Sequence, residues 1–142
     1  MKYLITGSSG FWGYNLVSHI LEEENDADIT CVYNTNYKHL DNFEVKKIQC
    51  SLESENVIKK LMNDYDFVIH LASIVKHTTE NAKENIDVNV TGCRNILELC
   101  KEIQKKYNKK IHLIIASTVG TVACFDKDNM ESNELSKFSE RS

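Results

Sequence analysis

Three glycines stand at a spacing that can cradle a phosphate. They fall in the run Thr6-Gly7-Ser8-Ser9-Gly10-Phe11-Trp12-Gly13. The apolar residues 2–5 before it read as a buried strand, and the segment after it has helical periodicity. At such a junction Gly7 can take backbone angles closed to other residues. Gly10 leaves room for a pyrophosphate to approach the backbone, and Gly13 lets the helix lie close on the strand. The helix N-terminus then turns its N–H groups and positive dipole end toward the phosphates. A turn that needs glycine only for its geometry is the alternative. The strand and helix on either side favour a dinucleotide site.

Other chemistry-bearing side chains are less telling by themselves. His70 closes an apolar run and reads as a satisfied core or edge histidine ahead of a catalytic base. His19 and His77 have no partner at metal-ligand spacing, so no metal site is expected. Lys76 reads as a solvated loop lysine. Asn89 on a helix and Ser117-Thr118 at a strand end would, alone, be ordinary polar residues.

The elements that position these residues alternate in type. Trp12, Leu16, Val17, Ile20 and Leu21 make one apolar face of a first helix. Its end, Glu22 to Glu24, opposes the helix dipole and predicts fraying near Asn25. Residues 29–33 read as a second strand, 34–42 as polar loop and 45–50 as a weaker third strand. Val57, Ile58, Leu61 and Met62 predict a short helix. Residues 67–71 form a fourth strand apolar enough for burial on both faces. After a loop over 72–80, Asn81 and Glu84 have capping-box spacing. A long helix follows with Val90, Cys93, Ile96, Leu97, Cys100 and Ile103 as its stripe. Residues 111–116 make a fifth strand. This alternation predicts an α/β, doubly wound parallel sheet in the order 3-2-1-4-5, with the glycine turn at the switch point.

The 142 residues are one domain by length, with 42% hydrophobic and 27% charged residues. A net charge of −4 gives no reason to expect nucleic acid or an anionic membrane as partner. No apolar run is long enough to span a bilayer, and the sequence opens directly in a strand, with no leader expected. The five cysteines are odd in number and form no C-x-x-C pair, which points to free thiols and a cytoplasmic setting.

Four motifs in order resemble the extended short-chain dehydrogenase/reductase family. They are the Thr6-Gly7-x-x-Gly10-x-x-Gly13 turn, Val68-Ile69-His70-Leu71-Ala72, Asn89-Val90-Thr91-Gly92 and Ile115-Ala116-Ser117-Thr118. The resemblance implies a Rossmann-like fold over residues 1–124 and NAD or NADP as cofactor. It implies that the N–H groups of Phe11 and Trp12 bind the pyrophosphate, that Ala72 lines the nicotinamide side, and that Asn89 steadies nearby backbone. Thr118 takes the place of the family's catalytic hydroxyl, with Ser117 beside it. Tyr33, Asn34, Ser51 and Leu52 stand where the adenosine half is held. Tyr33-Asn34 brings no carboxylate where NAD-preferring members have one, and Lys38 follows, which inclines the reading to NADP.

The family's proton donor lies in a Tyr-x-x-x-Lys motif, yet no tyrosine follows Tyr107 here. The chain is therefore expected to be an N-terminal part, truncated before a sixth strand and substrate lobe, with residues 125–142 a loosely held tail. Alone it is expected to bind and not to react; at full length a small-molecule substrate and a homodimer are expected. Ser117-Thr118-Val119-Gly120-Thr121-Val122 is similar to dihydroflavonol-type reductases, so a reductase of that or the hydroxysteroid type ranks first. A nucleotide-sugar epimerase or dehydratase ranks second, because Val122-Ala123-Cys124 lacks the usual V-Y-G. A non-catalytic dinucleotide-binding module is third.

Overall fold

The computed structural model describes residues 1–74 and 82–118. Five strands form one parallel sheet: β1 (Lys2–Thr6), β2 (Asp28–Tyr33), β3 (Lys46–Gln49), β4 (Phe67–His70) and β5 (His112–Ile115). Their order is β3-β2-β1-β4-β5, as the alternation of elements predicts. The chain leaves β1 for one side of the sheet and returns through β4 to the other, so a switch point lies at the C-terminal end of β1. In register, Thr6 stands beside Val32 of β2 and His70 of β4.

Helices α1 (Phe11–Glu23), α2 (Val57–Leu61), α3 (Ala82–Ile86) and α4 (Gly92–Tyr107) make the crossovers. The three central strands β1, β2 and β4 are buried on both faces, and their period-2 alternation sorts side chains between two cores. Leu4 and Val68 pack with Ile96, Leu99 and Ile103 of α4 and with Val57 and Leu61 of α2. Tyr3, Ile5 and Ile69 face the other way, onto Val17 and Ile20 of α1.

Several local expectations are corrected. Residues 34–42 are not plain loop: Lys38–Asn42 form a 3-10 helix whose Leu40 is completely buried against the α1 side. Trp12 leaves the predicted apolar face of α1 and is 75% exposed. The end of α1 is anchored, because the Glu24 carboxylate accepts a hydrogen bond from the Tyr3 hydroxyl at 2.6 Å. Burial, reinforced by that carboxylate, pushes the Tyr3 pKa up to about 12. The long helix is interrupted by a π-helical turn over Asp87–Thr91, which shifts its stripe. Val90 and Leu97 are exposed while Leu99 joins the core. Asn81, on which the capping box with Glu84 depends, lies outside the described residues, as do Lys76, His77, Cys124 and residues 125–142. Among the described residues no helix is long and apolar enough to cross a membrane, and no group of His, Cys, Asp or Glu is arranged to hold a metal ion.

Candidate dinucleotide site

The glycine turn is set by steric limits at two of its three glycines. Gly7 has φ +68°, and a Cβ there would meet the backbone of Ala72 at 2.8 Å. A Cβ on Gly13 would stand 2.2 Å from the Gly7 carbonyl oxygen, so α1 can approach the turn only because that atom is missing. Gly10 is different: a Cβ there would meet only the Gly7 carbonyl oxygen, at 3.3 Å. That contact is tight but single, so Gly10 is the least crowded glycine of the turn.

Two buried hydroxyls hold the turn from beneath. Ser8 Oγ donates to the Val32 carbonyl at 3.0 Å, tying the turn to the end of β2. Thr6 Oγ1 lies 2.7 Å from His70 Nδ1 and accepts the Ala72 N–H at 3.3 Å, tying it to β4. The Gly10 N–H donates to the Gly7 carbonyl at 3.0 Å, and the first α-helical bond runs from the Tyr14 N–H to the Gly10 carbonyl at 2.9 Å. Helix geometry therefore leaves the N–H groups of Phe11, Trp12 and Gly13 without intrahelical acceptors. No side chain caps this end, and the first turn carries no acidic residue. The Phe11 and Trp12 rings, edge to face at 5.4 Å between centroids, are both 75% exposed, so these residues offer the crevice their backbone.

On the β2 side, Asn34 follows the strand, and its carbonyl accepts the Gln49 side-chain N–H at 2.8 Å. The Cys50 N–H donates to the Tyr33 carbonyl at 2.9 Å, bringing Ser51 beside that strand end. A cleft of about 350 Å³ opens there, lined by Thr35, Asn36, Tyr37 and Lys38. Leu52 follows Ser51 with its side chain in the core, packed with Ile96 and with its Cβ 3.2 Å from where a Cβ on Gly92 would stand. Its carbonyl is also engaged, by Asn95 Nδ2 at 2.8 Å.

On the β4 side a cavity of about 200 Å³ lies between the ends of β4 and β5. His70, Leu71, Ala72 and Ser73 form one wall, Asn89 and Cys93 a second, and Ile115 and Ala116 a third. The π-helical turn carries Asn89 here. Its Oδ1 accepts the Ile74 N–H at 2.9 Å and its Nδ2 donates to the Ile74 carbonyl at 2.7 Å, so the amide splints the chain leaving β4. His70 is only 4% exposed, and burial lowers its pKa and keeps it neutral. It is structurally tied, as a core histidine should be, but it also lines the cavity. Ser117 and Thr118 follow β5 and are exposed.

The sequence-predicted residues thus gather at three places along the C-terminal edge of the sheet. Sequence reasoning missed Ser8, Ser73 and Cys93. Cys93 stands four residues after Asn89, a helical spacing that could have linked it to the same wall. Ser8 gave no signal, since a turn serine ordinarily faces water.

The model of the NAD dependent epimerase/dehydratase family matches residues 3–142. A probable UDP-glucuronate 4-epimerase of Rhizobium meliloti (strain 1021) is 30% identical over 132 residues, covering 83% of this chain and 37% of its own. The CDP-paratose 2-epimerase of Salmonella typhi is 32% identical over 132 residues, with the same coverage of 83% and 37%. The chain therefore spans well under half the length of these curated relatives. Among solved structures, the dTDP-glucose 4,6-dehydratase of Bacillus anthracis str. Ames in complex with NAD superposes with a TM-score of 0.77 at 20% identity. That match covers 100% of this chain and 45% of the dehydratase, and it shows the fold. With the family match spanning nearly every residue, this chain belongs to the NAD dependent epimerase/dehydratase family.

Proposed function

We propose that this chain is the dinucleotide-binding part of an enzyme that epimerises or dehydrates a nucleotide sugar. The observation that carries the binding reading is the uncapped N-terminus of α1 beside a turn at φ +68°, with Gly10 the least crowded of the turn's glycines. Backbone N–H groups and the helix dipole converge there on a position suited to an anion. A pyrophosphate fits this cradle: the site supplies donors, excludes carboxylates from the first turn and is least crowded at Gly10.

The nucleotide-sugar reading replaces the reductase reading that the residues after β5 suggest. That preference rested on Ser117 to Val122, of which Val119 onward lies outside the described residues. The relatives' names favour sugar nucleotides instead. A bound nicotinamide supplies a reversible hydride acceptor. This chain's own residues do the holding. Gly10, Phe11, Trp12 and Gly13 bind the pyrophosphate through N–H groups, Ala72 and the Asn89-splinted backbone line the nicotinamide side, and Thr118 with Ser117 positions a substrate oxygen. At the adenosine end, Tyr33-Asn34 offers no carboxylate for ribose hydroxyls, while Lys38 lines the neighbouring cleft. Those two features favour NADP over NAD. Proton transfer at the substrate is assigned to a Tyr-x-x-x-Lys pair that these 142 residues do not contain, so they bind without turning over.

Calorimetric titration with NADH and NADPH tests the reading. Both are expected to bind, NADPH more tightly, and Gly10→Val is expected to remove binding while leaving the fold intact. Unchanged affinity in that variant would remove the site assignment.

A further inference from the structure

We infer that Asn95 is a positioning residue for the adenosine half of the dinucleotide: by holding the Leu52 carbonyl it fixes the turn after β3, which walls the crevice beside the end of β2. The inference rests on the dinucleotide reading above and adds a residue to it.

Asn95 stands inside a continuous run of helical backbone, since the π-helical turn ends at Thr91 and α4 begins at Gly92. The helix has no use for a side-chain amide there, and asparagine forms helix less readily than the arginine, leucine and glutamate beside it. Its Nδ2 reaches instead across 43 residues of chain and donates to the Leu52 carbonyl at 2.8 Å, with the Ser54 carbonyl at 3.5 Å. One turn earlier on the same helix face, Gly92 makes this approach possible. A Cβ there would stand 3.2 Å from Leu52 Cβ and 3.8 Å from the Leu52 carbonyl carbon. Helix and turn therefore meet at one buried residue, Leu52, by contact at Gly92 and by a hydrogen bond at Asn95.

The start of this turn is tied to β2. The Cys50 N–H donates to the Tyr33 carbonyl at 2.9 Å, and the Ser54 N–H closes the turn on the Ser51 carbonyl at 3.2 Å. Ser51 is thus held between Cys50, which is bound to the strand, and Leu52, which is bound to the helix. Tyr33 ends β2 at the C-terminal edge of the sheet, the edge at which an open sheet of this kind takes its ligand. A dinucleotide seated on the glycine turn sends one nucleoside to the β2 side of the switch point and the other to the β4 side. The turn after β3 borders the β2 side, where the adenosine lies. Asn89 does the corresponding work on the β4 side, where it holds Ile74. A turn released from the helix has to be ordered again whenever ligand binds, and that cost lowers affinity for the part of the ligand it borders.

The test separates the adenosine end from the cradle. Affinities are measured by NMR titration for ADP, which carries adenosine and pyrophosphate, and for inorganic pyrophosphate, which carries only what the glycine turn holds. Asn95→Ala removes the donor and favours the helix. It is expected to weaken ADP about five-fold, the worth of one ordinary hydrogen bond, and to leave pyrophosphate within about two-fold of wild type. Amide exchange should quicken at Ser54, inside the turn, and stay unchanged at Ile74, which Asn89 holds. A role in general stability alone would move both amides and both ligands together. Gly92→Ala is a milder second variant, which keeps the Asn95 amide and presses a Cβ onto Leu52, and it decides the case if Asn95→Ala does not fold. There ADP is expected to weaken about two-fold relative to pyrophosphate. Unchanged ADP affinity in Asn95→Ala, an equal loss for ADP and pyrophosphate, or an unchanged ratio in Gly92→Ala would overturn the assignment. A wild-type chain that binds neither ligand would remove the cradle reading as well, whereas one that binds ADP no more tightly than pyrophosphate would remove only the role of Asn95.

Discussion

The two ends of the crevice are held by different means. At the β1–α1 turn almost everything is backbone and nothing is free to move: Gly7 is left-handed, Gly13 lies against the Gly7 carbonyl, and Thr6 and Ser8 are fully buried and hydrogen-bonded. At the β4–β5 end, Asn89 and His70 are tied, but β5 and the described residues after it, 116–118, are largely exposed. Ile114 is 50% exposed and Ile115 41%, and Ser117 and Thr118 beside them are exposed as well. β5 is the last strand in the sheet among the described residues. Binding a phosphate asks only for rigid N–H groups at a helix end, which one local turn supplies. Gripping a substrate asks for side chains converging from several elements, and one strand end does not supply that.

Breaking the turn should have the largest effect. Gly13→Ala forces a Cβ into the Gly7 carbonyl, and backbone cannot yield as a side-chain tip can, so a loss of about 3 kcal/mol in urea unfolding is expected. Gly10→Val should separate geometry from binding. Its backbone is extended, at φ −80° and ψ 171°, which valine accepts, but its Cβ would stand 3.3 Å from the Gly7 carbonyl oxygen. A stability loss of about 1 kcal/mol, well below that of Gly13→Ala, is therefore expected while dinucleotide binding is lost. At the other end, Asn89→Ala removes both bonds to Ile74 and should cost about 2 kcal/mol, with faster amide exchange at Ile74 as the local readout. Thr118→Val should be nearly silent in these 142 residues, within about 0.5 kcal/mol and with unchanged cofactor affinity. In a longer protein that turns over, the same change should lower kcat.

The opposite edge of the sheet sharpens the contrast, because charge holds it. Asp66 accepts the Lys2 N–H and the Lys109 ammonium, both at 2.8 Å, and Asp64 pairs with Lys2 and Lys109. Hydrogen bonds from Lys109, then Lys2, hold both carboxyls below the usual aspartate range. A folded pKa below the unfolded one adds stability above the unfolded value of about 3.9, and that stability is lost as the pH falls through the lower folded values. These groups are exposed and screened, so the effect should be the smallest measured here. Lys109→Met should flatten the acid limb of stability against pH, and an unchanged limb would show that the pairs contribute nothing.

Much of this arrangement is legible in the residues. Strand order follows from the alternation of apolar runs and amphipathic helices, since right-handed crossovers and a buried parallel sheet leave few topologies. Gly7 and Gly13 were readable because their requirement is steric and local. The misreadings share one cause. Trp12 satisfied a helical period yet points to solvent, and Leu40 lay in a polar segment yet is buried. Period and polarity describe one element at a time, whereas burial depends on what a neighbouring element covers.

The sequence by itself determined the turn, the elements and their pairing, because each depends on contacts within a few residues or on a hydrophobic period. Only the tertiary structure decided which buried polar groups meet. Thr6 and His70 are 64 residues apart, as are the Lys2 N–H and Asp66. Ser8 finds Val32 across 24 residues, and the π-helical turn aims Asn89 at Ile74. A buried donor or acceptor must be paired wherever the fold brings it, and the identity of its partner is a property of packing that no local pattern carries.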